Sequence, residues 1–522
     1  MGALEDFPKP TTRRLTRRGL LGYGLTSGVV MTIVAACGQA PAPAATTAPA
    51  QPTAAPKPTE APKPAAPTTA AAATAAPAAK PTAAPAAPTT AAAAAPKPTA
   101  KVTGNLVIIQ QRGFNPLQTT YVHDLLQKTG DANGWPLDLS YEEGFTGGGN
   151  FFEKMAAAVA AGDAPDFFLG DEDTFQLWNQ KSLVPVDDLV KWATDQFGEP
   201  APSQKLINFI DNKWYGVPFF TSTGGYWVRK SWFDKINFDI TKQYSLQDWL
   251  DASLKVSDPS NKRWGWGNTV NRSGDGQSNV YSALWQAGVR LSTADNKVSF
   301  YSDEAIAAYD WLKDLYTNPK WAPALPTGIN AWTDPSNNEA YLAGTIGFSS
   351  NAGTMFATAM KDKPDIANDT WLALHPSGPV GKKESLIVAG PGTFKFQMFT
   401  GAKNPDAARQ MIQTLLSKEN QKQVWANSPG HSVPGYTWGW DEPELKVIPN
   451  NVLAVSKDII LSDKTFKMFL PQPQPKLWVN AFDSQVVATD VMAEVLKGTP
   501  TKNAVQAGHD RIQKIWEQFE GN

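Results

Sequence analysis

Between residues 38 and 100 the chain is almost wholly Ala, Pro and Thr with a few lysines, and this stretch decides where folding can begin. Lacking aromatic and large aliphatic side chains, it cannot bury enough apolar surface to offset the entropy of ordering, and its prolines favour extended segments. We read it as a tether that reaches roughly 45 Å as a flexible chain and roughly 190 Å when fully extended. The folded body is expected to begin near residue 104. About 420 residues then remain, a length that suits two α/β lobes.

The segment before the tether reads as an export signal. Arg13, Arg14, Arg17 and Arg18 precede an apolar run from Leu20 to Ala36 that is too short and too glycine-rich for a membrane span. Thr16 to Leu21, reading TRRGLL, resembles a twin-arginine signal, and a general secretory signal with a rich basic region fits as well. Cys37 is the only cysteine among 522 residues, which excludes an internal disulfide and a cysteine-based metal site. Val34, Ala35 and Ala36 before it resemble a bacterial lipobox. That resemblance implies removal of residues 1–36 and lipidation of the Cys37 thiol, with 37–103 as anchor and linker.

A net charge of -2, with acidic and basic residues intermingled, gives no footprint for nucleic acid. His123, His375, His431 and His509 are dispersed, and no HExxH or GxSxG spacing is present. Gly147 to Gly149 lack the lysine and hydroxyl of a phosphate-binding loop. We therefore expect neither metal nor cofactor.

Beyond Gly104 the pattern alternates. Leu106 to Gln110, Leu137 to Glu142 and Asp166 to Leu169 read as buried strands, with Pro116 to Lys128 compatible with a helix. Asn150 with Glu153 predicts a capping box for a helix that turns Phe152, Met155, Ala156 and Val159 inward. Ala305, Ala308, Tyr309, Leu312 and Tyr316 mark another helix. Asn404, Pro405 and Asp406 predict the start of one that buries Met411, Ile412 and Leu415. Alternation of this kind predicts largely parallel sheets flanked by helices.

Five segments in order resemble the extracellular solute-binding proteins of ABC importers, the class that includes maltodextrin-binding protein. They are Met155 to Phe168 (MAAAVAAGDAPDFF), Ser182 to Leu189 (SLVPVDDL), Tyr215 to Pro218 with Tyr226 to Phe233, Tyr341 to Phe348 (YLAGTIGF), and Asn404 to Gln423. The resemblance implies a two-lobed α/β fold with the ligand cleft between lobes, each lobe a mainly parallel sheet flanked by helices. It places lobe 1 at 104–218, lobe 2 at 219–388, a return to lobe 1 at 389–433, and lobe 2 with C-terminal helices at 434–522. Crossings are expected near Gly216 to Phe219, Ile387 to Gly390 and Val433 to Gly435. The implied partners are a small solute, an ABC permease with its ATPase, and the membrane through the anchor, with the protein acting as a monomer that catalyses nothing.

Sugar recognition needs flat apolar faces for the C–H side of the ring and planar polar groups for its hydroxyls. All nineteen tryptophans lie after residue 130. In open α/β lobes, ligands sit beyond the carboxyl ends of strands, which singles out Gln111, Arg112, Phe145, Asp171 and Asp173. The resemblance assigns Asp173 to a cleft aspartate, although Gly170 stands where those relatives carry a tryptophan. It also points to Ser222, Trp266, Asn268, Asn351 and Trp478 as ligand contacts. A peptide, polyamine or other small solute remains the alternative ligand. The alternative activity is a secreted glycoside hydrolase, for which Glu142, Glu143, Asp171 and Asp173 would have to supply the paired carboxylates.

Overall fold

A computed structural model describes residues 100–521, apart from 114, 144–149, 382–385, 387–391 and 466. The export segment, Cys37, Phe145 and the expected crossing at Ile387 to Gly390 lie outside the described residues. The folded body starts a little before residue 104. The Trp135 indole donates to the Ala100 carbonyl at 2.7 Å, and the Thr103 N–H donates to Asn404 Oδ1 at 2.7 Å.

The apolar run Leu106–Gln111 forms β1, and the helix Pro116–Asn133 carries the chain to β2, Leu137–Glu142. Asn115 caps that helix by accepting from the N–H groups of Leu117 and Gln118, and Gly134 ends it at φ 67°. β3 is Phe167–Gly170. A small hairpin, β4 (Phe209–Ile210) and β5 (Lys213–Trp214), precedes β6 (Val217–Ser222). The chain then builds β7 (Gly224–Arg229), β8 (Trp264–Trp266), β9 (Ile346–Ala352) and β10 (Thr370–Ala373). It closes with β11 (Gly392–Met398) and β12 (Ser432–Pro434).

Two principal sheets result. The first has the order β12-β6-β11-β3-β1-β2, and the second β10-β7-β9-β8. The expected parallel arrangement is present as β2-β1-β3 and as β8-β9. The strands that carry the chain between sheets pair antiparallel, because a strand leaving a lobe and one returning to it run in opposite directions. Both sheets are therefore mixed.

The first crossing comes later than Gly216 to Phe219. The chain stays in the first sheet through Ser222 and enters the second at Gly224, so Thr223 is the crossing residue. Nor does the chain leave the first lobe at Val433 to Gly435. Tyr436 bridges to Pro200, and Trp438 packs against Trp425 and Phe197. It is fastened to the second sheet at Asn450, whose amide donates to the Thr370 carbonyl of β10 at 2.7 Å, and at Asn451, whose side chain bonds both backbone groups of Leu372.

Two expected caps serve other purposes. Asn150 stands before the helix Phe151–Ala161 without a side-chain cap bond. Asn404 precedes Pro405–Leu415 but spends its amide on the Asn105 carbonyl and Asp166, fastening the start of the folded chain. The apolar face of that helix, with Met411, Ile412 and Leu415, packs into the core beneath the first sheet as predicted. In the second lobe the C-terminal helices Leu477–Ser484, Val487–Leu496 and Thr501–Glu520 share a core with Gly274–Gln286 and Asp303–Thr317.

Candidate functional site

Where the chain passes between sheets, a cavity of about 420 Å³ opens. Thr223 sits at its hinge. Its N–H donates to the His431 carbonyl at 2.8 Å in the first lobe, and its carbonyl accepts from Gly353 at 2.7 Å in the second. The first lobe contributes Asp171, Ser222, Gly392, Phe394 and His431 to the lining, and the second contributes Asp275, Ser278, Asp334, Asn338, Asn351 and Thr354.

Asp171 is held at the end of β3 by Gln111, whose Oε1 accepts from the Asp171 N–H at 2.7 Å. This contact explains Gly170. A Cβ there would fall 2.5 Å from Gln111 Oε1 and 2.3 Å from the Phe168 ring, so any side chain at this position would displace the Gln111 amide that holds Asp171. Burial pushes the Asp171 carboxyl above its ordinary range, and the Lys395 ammonium works against that. Lys395 lies in β11, fully buried, and its Nζ has no hydrogen-bond partner among the described residues. Desolvation brings it down to about 8, opposed by the charges of Asp171, Asp173 and Glu172. Glu172 is pushed up to about 7 by burial and by the neighbouring carboxylates.

Asp173 caps the helix Thr174–Asn179, accepting from the Gln176 N–H at 2.6 Å. From the second lobe, Asn480 also donates to Asp173 Oδ1 at 3.3 Å, a tie across the cleft. Lys467 is near enough to Asp173 for attraction to oppose the desolvation that lowers it to about 8. The three acids of this wall therefore have two cations close by.

The opposite wall is different. Asp275, in the first turn of the helix capped by Ser273, accepts from Asn337 Nδ2 at 2.8 Å, and its own N–H donates to Asp334 Oδ1 at 2.9 Å. Burial first and the Asp334 charge second push Asp275 up to about 7. His431 accepts or donates through Nδ1 to Ser428 and Ser432 at 3.1 and 3.3 Å, and burial lowers it to about 4, so it is neutral at pH 7.

Of the residues singled out from the sequence, the cavity brings together Asp171, Ser222 and Asn351, with Gln111 as support. The Ser222 hydroxyl accepts from the Gly392 N–H at 3.0 Å, and Asn351 bonds Asn338 while its carbonyl accepts from the Trp227 indole at 2.9 Å. Arg112 lies outside the lining, paired with Glu143 at 3.4 Å and stacked on Tyr141. Asp173 is occupied as a cap. Trp266 and Trp478 do not reach the cavity. At 3% and 0% exposure they fill second-lobe cores, Trp266 among aromatic rings and Trp478 with its indole on Asn296. Asn268 is also structural, its Oδ1 accepting from the Ser350 N–H at 2.6 Å to join β9 to the loop after β8.

Residues 138–422, more than half of the chain, match the family described as bacterial extracellular solute-binding protein. The chain belongs to this family. Among curated proteins it is similar to the putative ABC transporter periplasmic-binding protein YcjN of Escherichia coli K12, 27% identical over 169 residues, which cover 32% of this chain and 39% of that one. The chain thus spans about two-fifths of the curated relative it matches. Among solved structures it resembles maltose-bound MalE3 of T. maritima, with TM-score 0.62 and 18% identity, over 78% of this chain and 99% of that one. It also resembles the ribitol complex of an ABC transporter solute-binding protein from Agrobacterium radiobacter K84, at 0.62 and 16%, over 80% and 100%. A third is a sugar transporter from Arthrobacter chlorophenolicus A6 with bound laminaribiose, at 0.62 and 16%, over 79% and 99%. These structures share its two-lobed fold.

Within that fold, the sequence reading missed Asp275, Asp334, Asn338 and Phe394. Asp275 and Asp334 each open a helix, where an acid ordinarily serves the helix dipole, so their patterns resemble any capped terminus. Phe394 is a strand residue, stacked on Phe220 at 4.4 Å, and alternation alone does not say that it lines a cavity. Among the described residues no helix is long and apolar enough to cross a membrane, and no metal-holding cluster of His, Cys, Asp or Glu occurs.

Proposed function

We propose that this protein is the solute receptor of an ABC importer, tethered outside the cell through a lipidated Cys37, and that it captures a carbohydrate between its lobes without transforming it. One observation carries the reading: a single cavity at the crossing strands takes hydroxyls, amides and carboxylates from both lobes. Such groups are the partners that sugar hydroxyls need. Phe394 offers an aromatic face for a ring. The maltose, ribitol and laminaribiose held by proteins of the same fold support the ligand class.

Ligand contacts on both walls favour closure of the lobes, with Thr223 as a pivot, and the closed monomer is the form delivered to the permease. Of the carboxylates a hydrolase would need, Asp173 is spent on a helix cap and Glu143 pairs with Arg112 outside the lining, which argues against that activity.

A thermal-shift screen of the 101–522 protein against saccharides, amino acids, peptides and polyamines, with product analysis of any sugar that binds, tests this. Stabilisation by one saccharide class recovered intact is the expected result. Cleavage of the sugar, or stabilisation by peptides alone, would overturn it.

A further inference from the structure

The two walls of the cavity carry unequal charge. Asp171 on the first has the buried Lys395 behind it. Among the described residues, Asp275 and Asp334 on the second have no cationic side chain bonded to them, and those that line the cavity include no lysine or arginine. Among the described residues each of the two carboxylates keeps one oxygen without a hydrogen bond, since Asn337 takes Asp275 Oδ2 and the Asp275 N–H takes Asp334 Oδ1. Lining histidine supplies no charge, because His431 is neutral at pH 7.

The helices Gly274–Gln286 and Asp334–Leu342 begin here, and their N-termini each offset about half a negative charge. Asp275, pushed up to about 7, is only partly ionised at neutral pH, so the pair carries less than two full charges, and against the two half charges this wall still stays net negative. A second observation points to a ligand at the same place. The Thr223 hydroxyl, in a residue only 1% exposed that lines the cavity, has no hydrogen-bond partner among the described residues.

Building on the carbohydrate reading above, we propose that the solute is cationic, an amino sugar or an oligosaccharide carrying a free amine, whose ammonium sits between Asp275 and Asp334 while its hydroxyls meet Ser222, Thr223, Ser278 and Asn351. An ammonium supplies the missing charge with three donors, and a neutral hydroxyl in its place leaves two half-buried carboxylates facing each other. An N-acetylated sugar has lost that charge.

The test is calorimetric titration of the 101–522 protein with matched sets: glucosamine, glucose and N-acetylglucosamine; galactosamine, galactose and N-acetylgalactosamine; chitosan and chitin oligosaccharides; and spermidine. The expected result is at least one amine binding tenfold or more tighter than both neutral counterparts, with the ratio of amine to neutral affinity falling to near one in Asp275→Asn and in Asp334→Asn, whatever either substitution does to the neutral sugars. A neutral sugar binding as well as its amine, or a preference that survives both substitutions, overturns the inference and leaves the carbohydrate reading standing. Spermidine binding with every sugar silent keeps the cation and overturns the carbohydrate, and silence throughout overturns both.

Discussion

The two walls of the cleft present the same residue type to the same space and use it differently. On the first wall Asp171, Glu172 and Asp173 share Lys395 and Lys467, and Asp173 is committed to a helix cap and to Asn480. On the second, Asp275 and Asp334 share only backbone and amide donors. A carboxylate with its charge met inside the protein is a structural part, whereas one left unmet is available to a ligand and costs the empty protein stability.

The largest effect that could break this contrast is on affinity. Replacing both Asp275 and Asp334 with Asn should weaken binding of the physiological saccharide a hundredfold or more, about 3 kcal/mol. Calorimetry reads it, and an unchanged Kd would show that the second wall takes no part. Asp173→Ala should act on the other quantity, lowering unfolding free energy by about 1–2 kcal/mol through the lost cap on Thr174–Asn179, with affinity little altered. Urea unfolding measures the first, and a stable variant that binds poorly would reverse the roles of the walls.

A pH series sharpens the contrast further. Asp275 is raised from 3.8 to about 7, so between those values the folded protein keeps a proton that the unfolded chain has released. Stability therefore falls as pH climbs through that window, and the whole penalty is present above pH 7. Asp275→Asn should gain about 1–2 kcal/mol at pH 8 and almost nothing at pH 4, followed by denaturant titration at each pH. The smallest effect belongs to the tie across the cleft. Asn480→Ala should cost under about 1 kcal/mol, and a double-mutant cycle with Asp173→Ala should return a coupling of about 0.5 kcal/mol. A coupling of zero would mean that the 3.3 Å contact carries no energy.

Much of this protein is legible in its residues because the signals are local. The apolar run Leu106–Gln111 and the spacing of Met411, Ile412 and Leu415 each follow from the period of one element, and the structure contains the strand and the helix they predict. Asp171 was legible for a related reason, since a residue just past a buried parallel strand stands at the carboxyl edge of a sheet. The tryptophans were not. A ring that stacks on a sugar and one that fills a core share a composition, and burial put Trp266 and Trp478 in the core. Capping went astray for a similar reason, because Asn404 had a buried partner in Asp166, 238 residues away, that outbid its own helix.

The sequence by itself determined that a low-complexity stretch precedes one α/β body, that helices and strands alternate within it, and that the family is one of solute binders. The first two reside in composition and in short-range periodicity, which each segment carries with it, and the third is what the resemblance of five ordered segments to a known family implied. Only the tertiary structure decided which acids meet in the cleft and which of them are neutralised. Lys395 and Asp171 are 224 residues apart, Asp275 and Asp334 are 59 apart, and their charges are felt only after crossing strands and helix ends have brought them together around one partly buried cavity.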